Sequence, residues 1–177
     1  MILYNFFKNI MICFPQWWWG ITNFFSGQTL YEKYHYQLYN VVYTSFPIIV
    51  YAVWDQEFSS EQFFLERPLL YSKGPKRELF NNIRFVFWFV VATIEAALIV
   101  MISLELIDMD WTNEEGTALG FWVFGMVVFS SVCLLVNIKI FAFSNTFSIL
   151  HVVILIGSTV AVLVTWPVIG AFFKGNE

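Results

Sequence analysis

Charge is scarce in this sequence. Only 12% of its 177 residues are Asp, Glu, Lys or Arg, and the nine basic ones make no basic run, which argues against a nucleic-acid surface. Cysteine is almost absent. Cys13 and Cys133 both lie in apolar stretches, give no disulfide framework, and are expected as small packed side chains. There is no Gly-rich phosphate loop, no Cys/His metal cluster and no nucleophile–base pair, so the chain carries no visible chemistry of its own. Strict apolar/polar alternation is missing, which argues against a membrane β-barrel. The N-terminus lacks the basic lead and small-residue cleavage site of a signal peptide.

What is present is apolar bulk. Hydrophobic residues make up 59% of the chain and aromatics 21%, with 21 Phe and 8 Trp, and the mean hydropathy is +0.67. A soluble core has no need of such an excess; lipid as the solvent accounts for it. Backbone polar groups must pair internally in lipid, so spans of this kind are helical. The sequence therefore predicts an all-α polytopic membrane protein with five spans, at about 1–21, 36–54, 83–106, 119–143 and 147–173. A loop over 55–82 is too short to fold alone. It carries a candidate helix start at Ser59–Gln62 and reads as a segment lying along the membrane.

Orientation follows from the loops. Arg67, Lys73, Lys76, Arg77 and Arg84 fall in or beside the loop 55–82, whereas 107–118 holds Asp108, Asp110, Glu114 and Glu115 without a base. The positive-inside rule makes the first loop cytosolic and the second exoplasmic. The N-terminus is then cytosolic, while the turn Phe24–Tyr31 and the C-terminus are exoplasmic. Trp17, Trp18 and Trp19 fall at the exoplasmic interface as an aromatic belt.

Against this apolar background the polar residues stand out. Asn5, Lys8, Asn9 and Gln16 are expected on one face of the first span, with Lys8 about 13 Å below the tryptophans. A cation at that depth faces protein or a wet cavity, or else snorkels to the cytosolic side. In the second span Asn40, Thr44 and Pro47 recur at helical spacing. Pro47 would release the carbonyl of Tyr43 and kink the helix, leaving groups for a polar ligand or for helix–helix hydrogen bonds. Glu95, near the middle of the third span, needs a partner if ionised and donates a hydrogen bond if protonated; a structural pair is the preferred reading, with Lys8 a partner at similar depth. His151 and Asn137 are expected to pack and to hydrogen-bond structurally.

The order of several short motifs resembles the C-terminal membrane domain of type IV P-type ATPases, the phospholipid flippases. YNFFKN (Tyr4–Asn9) is similar to the fifth helix of that family, with Phe7 where Tyr is common and Asn5 where Phe is common. FSGQTLY (Phe25–Tyr31) and YNVVYTSFP (Tyr39–Pro47) resemble the exoplasmic turn and sixth helix. WDQEF (Trp54–Phe58), Pro68–Tyr71, Gly74 and Leu79–Asn81 resemble the cytosolic loop before helix seven. VNIKI (Val136–Ile140) is similar to the end of helix eight, and Gly157-Ser158 falls in helix nine.

The resemblance implies that Lys8, Asn9 and Asn40 bear on lipid headgroup recognition along a membrane groove; Thr44 and Pro47 join that path by their spacing from Asn40. It implies a structural or lipid-access role for Ser26, Gly27 and Gln28. Glu95 departs from the family pattern, in which a neutral residue or His is common. The phosphorylated-Asp motif, actuator and nucleotide domains and helices one to four would lie upstream, and a tenth helix downstream. ATP and Mg²⁺ would thus act in the parent, and the expected partners are phospholipid, the bilayer, those upstream domains and an accessory membrane subunit. The expectation is an integral protein of the plasma membrane or endomembranes, a fragment of a lipid translocase. The alternatives are a standalone, non-catalytic scaffold and the pump-like module of a larger protein.

Overall fold

The computed structural model describes residues 1–55, 74–76, 80–107, 120–145 and 149–174. Ser59–Gln62 and the acidic residues Asp108, Asp110, Glu114 and Glu115 lie outside them. All regular elements among the described residues are helical: α1 (Ile2–Thr22), α2 (Lys33–Leu38), a π-helical turn (Tyr39–Tyr43), α3 (Ser45–Trp54), α4 (Asn82–Leu106), α5 (Gly120–Phe143) and α6 (Ile149–Lys174).

Three of these helices, α4, α5 and α6, are long and apolar enough to cross a membrane, against the five spans expected. The shortfall has two physical causes. α1 has 21 residues, but Asn5, Lys8, Asn9 and Gln16 dilute its apolar character. The second expected span is continuous in sequence yet divided, because the π-helical turn separates a six-residue helix from a ten-residue one.

Helix termini are set by local side chains. Glu32 caps α2, its Oε2 accepting from the backbone N–H groups of Tyr34 and His35 at 3.1 Å each. Asn81 caps α4 through Ile83 N–H. Asp55, just past α3, accepts from Ser144 Oγ (3.1 Å) and Asn145 N–H (2.8 Å) and so ties the end of α3 to the end of α5.

Contact order along the helices gives their directions. Phe6 meets Phe85, Phe7 meets Trp88, and Trp18 Nε1 donates to the Thr93 carbonyl, so α1 and α4 run parallel. α5 runs against both, with Tyr4 near Val136 and Trp19 near Phe124. Its buried residues fall on two adjacent i, i+4 rows, 120-124-128-132-136-140 and 125-129-133-137. Such a broad buried face marks α5 as the central helix. At Gly125 a Cβ would collide with the Leu30 carbonyl oxygen, so only glycine lets the turn after α1 lie directly on α5. Around Phe129 gather Tyr31, His35, Tyr39, Tyr43 and Trp166, an aromatic core joining the turn after α1 and the second segment (α2, the π-helical turn and α3) to α5 and α6.

Candidate functional site

The turn after α1 is bent by three residues with left-handed backbone, Phe24 (φ 55°), Phe25 (φ 54°) and Gly27 (φ 83°). Two consecutive phenylalanines do not adopt this conformation unaided. Phe25 N–H donates to the Gly20 carbonyl at 2.7 Å. The Phe25 ring lies against Gly20, where a Cβ would approach it to 2.9 Å. Ser26 N–H reaches Asn23 Oδ1 at 3.4 Å. Gln16 then staples the far side of the turn: its Nε2 donates to the Gln28 carbonyl (3.2 Å) and its Oε1 accepts from Leu30 N–H (2.7 Å). A residue read from sequence as part of a polar stripe thus has a definite structural task.

Between this turn and α2 opens a groove of about 470 Å³, with Ile12, Cys13 and Gln16 from α1, Thr29 and Tyr31 from the turn, and Lys33, Tyr36 and Gln37 from α2. Cys13, expected as a packed side chain, is exposed, whereas Cys133 is buried. The reason is rotational: Met11, Ile12 and Pro15 occupy the buried side of α1 and leave position 13 outside. The Tyr31 hydroxyl is buried with no hydrogen-bond partner among the described residues. Burial pushes its phenol well above the usual range, so it remains a neutral donor. A second groove, about 490 Å³ between α5 and α6, is lined mostly by aliphatic side chains.

The expected site residues separate into exposed and buried sets. Asn5, Asn9 and Asn40 are exposed, as are Ser26, Gly27 and Gln28, while Lys8, Thr44 and Pro47 are buried. Lys8 is only 8% exposed; its carbonyl accepts from the Tyr39 hydroxyl at 2.9 Å, tying α1 to the second segment. Its ammonium makes no ion pair among the described residues.

The π-helical turn places Asn40 and Thr44 differently from a regular helix. Thr44 turns inward, its N–H and hydroxyl both donating to the Tyr39 carbonyl (3.1 and 2.7 Å). Pro47 sits in the first turn of α3, where its missing N–H costs no intrahelical bond. The Tyr43 carbonyl is not free for a ligand: Asn137 Nδ2 donates to it at 3.3 Å.

The expected Glu95–Lys8 pairing does not form. Glu95 pairs with Lys139, whose Nζ lies 2.7 and 2.8 Å from the two carboxylate oxygens. Depth along separate helices made Lys8 a plausible partner. Azimuth decides: α5 presents Lys139 to Glu95 of α4, whereas Lys8 on α1 is buried without an ion pair among the described residues. The tryptophans also divide, since Trp17 is exposed but Trp19 packs on Phe121 and Phe124 in the core. His151 is buried as expected.

Sequence reasoning missed His35. It is fully buried, stacked on Trp166 at 3.7 Å with 15° between the rings, and its Nδ1 lies 2.8 Å from Glu32 Oε2. The spacing Glu32–His35 was the available signal, as an i, i+3 pair at a helix start.

Comparison with known proteins agrees with this architecture. Residues 1–176 match the family described as phospholipid-translocating P-type ATPase C-terminal. A phospholipid-transporting ATPase of Schizosaccharomyces pombe is 33% identical over 168 residues, 95% of this chain and 13% of that protein. Phospholipid-transporting ATPase ID of Homo sapiens is 33% identical over 140 residues, 78% of this chain and 11% of that protein. Phospholipid-transporting ATPase DRS2 of Saccharomyces cerevisiae is 28% identical over 174 residues, 97% of this chain and 13% of that protein. The chain therefore spans only about an eighth of the length of these relatives. It belongs to the C-terminal membrane-domain family of phospholipid-translocating P-type ATPases.

Proposed function

We propose that this chain forms part of the transport region of an ATP-driven phospholipid translocase, moving a lipid headgroup from the exoplasmic to the cytosolic leaflet. The observation that carries the reading is a polar wall on helices otherwise suited to lipid. Asn5 and Asn9 on α1 and Asn40 on the second segment are exposed, and Lys33 and Gln37 line the groove between these two elements together with Gln16. Amide side chains facing hydrocarbon are costly unless protein, water or a polar ligand meets them. A zwitterionic or anionic headgroup passing along the wall meets both amides and cations, and its acyl tails remain in lipid. Lys8 contributes a buried cation next to Asn9. Thr44, Pro47 and the Asn137-held Tyr43 carbonyl shape the wall from behind.

In this reading the N-terminus is cytosolic, the Ser26–Gln28 turn is the exoplasmic mouth, and ATP hydrolysis with Mg²⁺ belongs to segments outside this chain. No group of three or more His, Cys, Asp or Glu converges among the described residues to suit a metal ion, and no step here runs through one. The upstream ATPase domains and an accessory membrane subunit are the proposed protein partners.

Asn40 gives the most selective test, because it is exposed and makes no side-chain bond on which the fold depends among those described. Asn40→Leu in the full translocase should raise the lipid concentration for half-maximal ATP turnover roughly 3- to 12-fold, the loss of one hydrogen bond. Maximal turnover should change less. An unchanged lipid dependence would remove Asn40 from the path.

A further inference from the structure

Glu95 and Lys139 have no task in the headgroup path, yet together they sit at the junction of three helices. The Lys139 ammonium is bidentate on Glu95 of α4 and lies 3.8 Å from the ring centroid of Phe7 on α1, with Trp88 of α4 at 5.6 Å. Phe7 is fully buried and edge-on to Trp88. One turn earlier the Tyr4 hydroxyl donates to the Val136 carbonyl. Two residues before Lys139, Asn137 holds the Tyr43 carbonyl at the end of the π-helical turn. Three residues within one turn of α5, Val136, Asn137 and Lys139, therefore grip both α1 and the second segment, the two elements that carry the exposed amides.

We propose that Lys139, held by Glu95 over the face of Phe7, is a positioning residue that sets the rotation of α1 and thereby which headgroup the wall accepts. The proposal rests on Lys8 and Asn9 acting in headgroup recognition. Successive helix positions are about 100° apart. With Phe7 fixed inward, Lys8 is held on the buried flank of α1 and Asn9 on the open side. A rotation by one position would exchange the cation and the amide presented to a ligand. Cation–π attraction supplies the fixing contact, because the ammonium lies over the ring face within the range in which such pairs attract. Glu95 keeps the ammonium there; without it the long side chain can withdraw along the helix.

The test uses the protein in its own membranes and a photoactivatable phospholipid carried in phosphatidylcholine vesicles. Unlabelled phosphatidylserine, phosphatidylethanolamine and phosphatidylcholine are competed against it, and the readout is the affinity ratio between the best and the worst headgroup. Exchanging the partners, Glu95→Lys with Lys139→Glu, preserves the ion pair but puts a carboxylate over Phe7. This variant should keep the melting temperature within a few degrees and lower the ratio at least fivefold, while Lys139→Arg keeps it. Should the exchanged variant fail to insert, the volume-matched pair Glu95→Leu with Lys139→Met carries the same expectation. A ratio unaltered in these variants but lowered by Lys8→Ala would overturn the positioning role alone. A ratio that Lys8→Ala leaves intact would overturn the headgroup reading beneath it as well.

Discussion

Lys8→Ala in the full translocase should lower lipid-stimulated ATP turnover at low lipid about 10- to 100-fold, the value of a charge-assisted hydrogen bond of 1.5–3 kcal/mol. The ammonium is buried, and Glu95, the partner expected from the sequence, is committed to Lys139. A cation in such surroundings is costly to hold without an anion nearby. A lipid phosphate arriving at about 4 Å would recover a Coulomb attraction of the order of 4 kcal/mol at an effective dielectric of 20, before its own desolvation is subtracted. The difference between those terms is what alanine removes. Lys8→Arg keeps the charge and should retain a larger share of turnover, diminished by the bulkier guanidinium in a packed site. Full turnover in Lys8→Ala, with lipid dependence unchanged, would mean that the ammonium serves only to snorkel.

The largest effect on stability is expected at Phe129. Its ring is fully buried and lies 5.5 Å from Tyr31, 5.9 Å from His35, 6.1 Å from Tyr39, 5.8 Å from Tyr43 and 6.2 Å from Trp166. Phe129→Ala should therefore cost about 3–5 kcal/mol, the range for emptying a buried aromatic site. Lost edge-to-face contacts should push the value toward the upper end. The Tyr43 hydroxyl shares a 2.7 Å hydrogen bond with Thr165 Oγ1, and His35 is clamped between Glu32 and Trp166. These polar anchors prevent the surrounding rings from collapsing freely into the void. Unfolding in detergent, followed by near-ultraviolet circular dichroism, reads the change directly. A loss below about 1 kcal/mol would show that the cluster relaxes into the vacated volume and does not organise the second segment.

The apolar runs were legible because lipid leaves a helix as the only pairing scheme for an unclosed backbone, and α4, α5 and α6 follow from that alone. Asn5, Asn9 and Asn40 were legible as exceptions to apolar composition, and all three are exposed. The π-helical turn was not. Pro47 signalled a break, but the interruption lies upstream, where Thr44 bonds back to Tyr39 and Asn137, 94 residues away, takes the Tyr43 carbonyl. Glu95 illustrates a second limit. Hydropathy locates a residue along the membrane normal but says nothing of the direction it faces, so two lysines were available and the wrong one was the natural choice. His35 and Trp166 show a third: no local pattern reveals a stack between residues so distant in sequence.

The polar wall is tested most directly by mapping where a lipid headgroup touches the protein. A phospholipid carrying a photoactivatable group on its headgroup, irradiated with the protein in sealed vesicles, should leave adducts on peptides spanning Asn5–Gln16 and Lys33–Asn40. Excess unlabelled substrate lipid should suppress those adducts. Adducts confined to the outward faces of α4 and α6, insensitive to competitor, would contradict the account, because the headgroup would then meet this domain only as ordinary surrounding lipid.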